Sequence, residues 1–98
     1  MNSPQLERVG EDRLLVSGEL SMSTVPALLA QSHWPERDKE LHVDLQNVER
    51  ADSAGVALLI EWRREASRQQ CTIRFHNIPS QLLAIARLCG VDELLALN

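Results

Sequence analysis

The segment Asp52-Ser53-Ala54-Gly55 sets a carboxylate, a hydroxyl and a glycine at the head of an apolar run that ends at Trp62. A serine in that position has three chemistries open to it. It can cap or begin a helix, the commonest use of serine beside aspartate. It can act as a nucleophile, but a nucleophile elbow needs G-x-S-x-G, and Ala51 stands where the first glycine belongs. No histidine lies near it in sequence to serve as a base. It can also take a phosphate, since free N–H groups and the helix dipole favour an anion at a helix N-terminus. A phosphate on Ser53 would bring about −1.5 to −2 charges beside Asp52, against any apolar contact nearby, and so would block docking.

The other reactive side chains form no constellation in the sequence. Asp44 and Asp52 have no second acid, base or metal ligand at useful spacing and read as structural acids. His33, His42 and His76 are scattered, and no spacing brings them to a shared metal, so no metal site is expected. Cys71 and Cys89 are too far apart for a CxxC pair or a zinc knuckle, and their surroundings predict buried thiols. There is no glycine-rich phosphate loop, and no cofactor is expected. These absences argue against an enzyme.

Composition narrows the partners. The 98 residues fit one domain spanning positions 1–98, with 44% hydrophobic and 24% charged residues. The net charge is −4, and Arg63-Arg64 is the only adjacent basic pair, so a nucleic-acid partner is not expected. The stretch MNSPQLERVGEDR has no apolar core of the signal-peptide kind, and no apolar run approaches the ~18–20 residues of a membrane span. The expectation is a cytoplasmic protein that reaches a membrane only through a partner.

Several local elements would have to position Ser53. Leu6–Val9 and Arg13–Ser17 read as strands joined by the turn Gly10-Glu11-Asp12, with Gly18 breaking the second. Ser21 or Ser23 can cap a helix over Thr24–Gln31, which His33-Trp34-Pro35 ends before a charged loop at Glu36–Glu40. Leu41–Leu45 alternates as a strand, and Gln46–Asp52 reads as a polar connection. A helix from Ser53 to about Arg68 follows, then a strand over Cys71–His76 and a helix opened by Ile78-Pro79-Ser80 and closed by Gly90. The pattern β-β-α-β-α-β-α is α/β. It predicts a mixed four-stranded sheet, from one hairpin and two parallel steps. Because the strands alternate instead of being apolar throughout, the helices should lie mainly on one face.

At ~100° per residue, Gly55, Leu58, Leu59, Trp62 and Ala66 share one arc of the second helix, the natural buried stripe, with Gly55 allowing close approach to the sheet. Val56, Ala57 and Ile60 fall on the other side with Ser53, Arg63, Arg64 and Ser67. That face is unusually apolar for solvent. A loop or a neighbouring helix covering it, ordinary scattered apolar surface and a docking face are all consistent with the pattern.

The stretch VDLQNVERADSAGVALLIEW resembles the signature of the STAS domain, the family of anti-sigma-factor antagonists and of the cytoplasmic tails of sulfate transporters. The signature is an apolar strand ending in Asp-Leu, here Val43-Asp44-Leu45, a short loop, then Asp52-Ser53-Ala54-Gly55 and an apolar helix. Val16-Ser17-Gly18-Glu19-Leu20 is similar to the family's V-x-G-E-L-D segment, and Gly90-Val91-Asp92 to its Gly-(Leu/Val)-Asp ending. The resemblance covers almost the whole chain and implies a STAS-type βα superhelix. Ser21 replaces an aspartate usual in antagonists, and little sequence follows Asp92. Both features look more like the small stand-alone STAS subunit of the Mla phospholipid-transport ABC complex.

That resemblance implies a non-catalytic subunit on the transporter's cytoplasmic ATPase, supporting its assembly and activity. It also implies that the hydroxyl at Ser53 belongs to the contact region. The expected partner face is Ser53, Val56, Ala57 and Ile60, flanked by Arg64. The competing reading is an anti-sigma-factor antagonist that binds a serine kinase of the anti-sigma type and is controlled by phosphorylation at Ser53.

Overall fold

A computed structural model describes residues 5–30, 39–93 and 95. The expectations for His33-Trp34-Pro35 and for residues 31, 36–38, 94 and 96–98 lie outside the described residues. The elements are β1 (Gln5–Arg8), β2 (Arg13–Leu20), α1 (Val25–Ala30), β3 (Glu40–Ala51), α2 (Ser53–Arg68), β4 (Thr72–His76) and α3 (Ser80–Leu88). Their order is the one the sequence predicts. The strands form one mixed sheet in the order β1-β2-β3-β4, with β1 antiparallel to β2 and the other two pairs parallel. The antiparallel pair comes from the hairpin at Gly10-Glu11-Asp12, and each parallel pair from a crossover through a helix.

Two strands are longer than their alternation suggests. Gly18 does not break β2; it sits inside the strand at φ +90°, where the pairing with β3 shifts register between Gly18 and Glu19. A second shift lies between Leu15 and Ser17. Such bulges set an extra residue against the partner strand and need a conformation that glycine adopts easily. The expected polar connection Gln46–Asp52 is accordingly the second half of β3. The buried positions there are Leu45, Val48 and Ala51, a spacing of three that hides a strand from any search for period two.

The core lies between the sheet and the helices. Leu41, Val43 and Leu45 of β3 share one buried cluster with Leu58, Leu59, Trp62 and Ala66 of α2, all at most 2% exposed. Gly55 brings α2 close: a Cβ there would lie 3.1 Å from Leu82 Cδ1 and 3.2 Å from Leu20 Cβ. One residue of the predicted outer face is misplaced. Val56 is 4% exposed and belongs to the core, and Ile60 is half-buried against it. Both α1 and α3 pack against α2, so its buried arc is wider than a helix resting on a sheet alone would need.

The helix ends explain the short links. Neither Ser21 nor Ser23 immediately precedes α1; Thr24 does, its hydroxyl accepting the Ser21 N–H and donating to the Glu19 carbonyl. Both α2 and α3 end in Schellman motifs. The Cys71 N–H bonds the Ala66 carbonyl at 2.8 Å, and the Val91 N–H bonds the Ala86 carbonyl at 2.9 Å. The second motif turns at Gly90, as predicted, but the first turns at Gln70, held at φ +58°. These turns expose Cys89 and leave Cys71 half-buried, so neither thiol is buried as the neighbouring sequence suggests.

Candidate partner-binding face

The start of α2 is built by Asp52, not by Ser53. The Asp52 backbone is extended, and its carboxylate accepts the Ala54 N–H at 2.8 Å as the N-cap. Its own N–H bonds the Leu20 carbonyl at 3.0 Å, fixing the helix start to the end of β2. Gln81 of α3 adds a third tie, its side-chain oxygen accepting the Ala51 N–H at 3.3 Å. Ser53 is thereby freed from capping and stands exposed as the first helical residue.

From there the outer face runs along α2 at positions i, i+4, i+7 and i+11: Ser53, Ala57, Ile60 and Arg64. Ser53 and Ala57 are exposed and small. Ile60 is half-buried, with part of its side chain at the surface, and Arg64 is exposed, paired with Glu61 at 3.2 Å. The structure thus brings four of the five predicted contact residues onto one stripe and turns the fifth, Val56, inward. Beside Ile60 and Arg64 lies a shallow apolar hollow of about 220 Å³ that also touches Arg63 and Leu95. At the other end, next to Asp52, a cleft of about 430 Å³ opens at the C-terminal ends of β2 and β3, lined mainly by Glu19, Ser21, Met22, Ser23 and Arg50.

Met22, on the rim of that cleft, is 82% exposed. No motif or spacing in the sequence singles it out. Its only signal is an unbranched apolar side chain between two serines in a turn, which periodicity does not register.

The acids behave as structure. Asp44 is buried in the sheet face; its carboxylate accepts the Gln46 N–H at 2.9 Å and the Asn77 side-chain N–H at 3.1 Å, with Arg13 at 4.0 Å. Burial pushes its pKa up. The hydrogen bonds from Asn77 and Gln46 and the charges of Arg13 and His76 outweigh that and hold it below the usual value. The histidines are not all scattered, as their spacing implies: His42 and His76 meet on the sheet, with Glu40 beside them. They cannot serve Ser53. His42 lies near the start of β3 and Ser53 beyond its end, on the order of 30 Å away at strand rise. Among the described residues no three His, Cys, Asp or Glu side chains gather as a metal-binding set, and no helix is long and apolar enough to cross a membrane.

Known proteins share this arrangement. Residues 5–96 match the family model described as Mlab, STAS domain. The intermembrane phospholipid transport system binding protein MlaB of Haemophilus influenzae is 32% identical over 93 residues, covering 85% of this chain and 84% of that protein. Among solved structures, the unphosphorylated anti-sigma factor antagonist SpoIIAA superposes with a TM-score of 0.70 at 18% identity, covering 93% of this chain and 84% of that one. An anti-sigma factor antagonist from Mycobacterium paratuberculosis gives 0.59 at 20% identity, covering 96% and 82%. At such identities these two establish the fold alone. The family match over nearly the whole chain, the 32% relative and the mixed sheet behind a capped α2 agree: the chain belongs to the STAS domain family.

Proposed function

We propose that this chain is a non-catalytic regulatory and assembly subunit that binds the cytoplasmic ATPase of an ABC phospholipid transporter maintaining outer-membrane lipid asymmetry. The observation that carries this reading is the 32% identity, over 85% of the chain, to a protein named for an intermembrane phospholipid transport system. On this reading the protein is cytoplasmic, meets the inner membrane only through its partner, and needs no cofactor.

The contact is the α2 stripe. Ser53 and Ala57 admit a partner helix or loop close to the backbone, Ile60 supplies apolar area, and Arg64 forms the polar rim. Val56 supports the stripe from beneath. The alternative is an antagonist in a sigma-factor partner switch, phosphorylated on Ser53 by an anti-sigma kinase. The exposed Ser53 hydroxyl at a helix start suits that chemistry, and the same face would be used.

Co-purification of the full chain with the transporter ATPase of its own cell, and separately with an anti-sigma kinase, distinguishes the two. Ser53→Glu and Ala57→Glu are expected to abolish ATPase binding, because each sets a charge against the contact. As surface changes they should leave the melting temperature within about 2–4 °C. Folded variants that bind at wild-type strength would remove the α2 stripe from the interface. Binding only to the kinase, with phosphate transferred to Ser53, would replace the transporter reading with the antagonist one.

A further inference from the structure

The sheet carries a second organised group, on the face opposite Leu41, Val43 and Phe75. His42 of β3 and His76 at the end of β4 point towards each other, with Nδ1 of His42 2.8 Å from Nε2 of His76. The ring centroids are 5.0 Å apart and the planes differ by 25°. That separation is close to what a 2.8 Å bond along the line of centres requires. The two nitrogens therefore lie between the rings, in the geometry of an N–H···N bond. A metal ion on the same line would sit about 1.4 Å from each nitrogen, far inside the ~2.0–2.1 Å that imidazole ligation needs. A hydrogen fits there and a metal does not.

The neighbours assign the tautomers. Glu40 Oε1 lies 3.0 Å from His42 Nε2, and Glu40 Oε2 is 3.0 Å from Arg74 Nε. A carboxylate can only accept, so His42 Nε2 carries a hydrogen and, in the neutral ring, Nδ1 is the acceptor. His76 Nε2–H is then the donor, leaving its Nδ1 outside the bond. The charged groups facing the pair are Glu40 and Asp44 of β3, Arg74 of β4 and, beside Asp44, Arg13 of β2. Glu7 of β1 pairs with Leu15 and is held away by the width of β2.

We propose that His42 and His76 form a one-proton latch that fastens edge strand β4 to β3 and opens when acid delivers a second proton. The first added proton goes to His76 Nδ1, outside the bond. The result is an imidazolium donating to neutral His42, between the carboxylates of Glu40 and Asp44. A second proton has only His42 Nδ1 to occupy, and that lone pair is already used. Taking it up sets two N–H groups face to face, so the bond breaks and the end of β4 loses one of its three side-chain ties to β3 among the described residues, leaving Arg74–Glu40 and Asn77–Asp44. Among the described strands β4 pairs with β3 alone, so no second strand compensates. The latch stands apart from the α2 face, and its test is independent of any partner.

The experiment is ¹⁵N NMR of the full chain between neutral and acid pH. At neutral pH a nitrogen–nitrogen scalar coupling across the bond is expected. On acidification both rings should report the same two steps, with the coupling lost in the second. In that second step amide exchange over Thr72–His76 should accelerate about tenfold relative to α2, the effect of one lost hydrogen bond on local opening. In His76→Ala, His42 should titrate in a single step. Independent single-step curves in the wild-type protein, or loss of the coupling with no change in β4 exchange, would overturn the latch. The wild-type spectra decide this even if the variant fails to fold.

Discussion

Asp44 and Ser53 are both polar residues of the family signature, and their surroundings divide their work. Asp44 accepts from two donors, the Asn77 amide and the Gln46 N–H, and the Arg13 guanidinium stands 4.0 Å away as a counter-charge. Burial opposes its ionisation, yet those donors and the nearby His76 bring the folded-state pKa below 3.8. A carboxyl lowered on folding stabilises the fold fully above its unfolded value. That contribution is lost as pH falls through the lowered folded value. Asp44→Asn should therefore cost on the order of 1 kcal/mol at neutral pH, the difference between charged and neutral hydrogen bonds, and almost nothing once the wild-type carboxyl is protonated. Urea melts of both proteins at neutral and strongly acid pH measure this, and an equal difference at both would assign the loss to packing. Ser53, relieved of capping by Asp52, has its hydroxyl free for a partner or a kinase.

At the scale of elements, the two Schellman turns make a natural comparison. Gly90 and Gln70 occupy equivalent places after α3 and α2 at φ +74° and +58°, but only one is glycine. A side chain in that region meets its own backbone, at a cost of roughly 1–2 kcal/mol that glycine avoids, less what glycine loses in chain entropy. Gln70→Gly should raise stability by about 0.5–1 kcal/mol without altering α2 or β4. Equilibrium denaturation would show it as a higher midpoint with an unchanged slope. The helices themselves were the legible elements. The bounds of α2 follow from its apolar period and its Asp52 start, and the end of α3 from Gly90. The second half of β3 was not legible, because bulges opposite Leu15–Ser17 and Gly18–Glu19 space its buried side chains by three.

At the scale of the whole molecule, Trp62 is the largest fully buried side chain among the described residues, 1% exposed beneath the outer stripe of α2. Trp62→Ala should cost about 3–5 kcal/mol, a large part of a small domain's stability, and a denaturant melt followed by circular dichroism measures it. A loss below about 1 kcal/mol would mean that the core refills around the gap. The sequence by itself determined the order of the elements, the mixed sheet, the buried stripe through Leu58, Leu59 and Trp62, and the place of Ser53 at a helix start. Those follow from side-chain periods and turn residues, which act within a few positions along the chain. The tertiary structure alone decided that Val56 is core, because α1 and α3 flank α2 and widen its buried arc. It alone brought His42 to His76, and Asp44 to Asn77, across 34 and 33 residues of chain. Such pairings depend on strand register and on the choice of neighbour in the sheet, and no local pattern of residues encodes either.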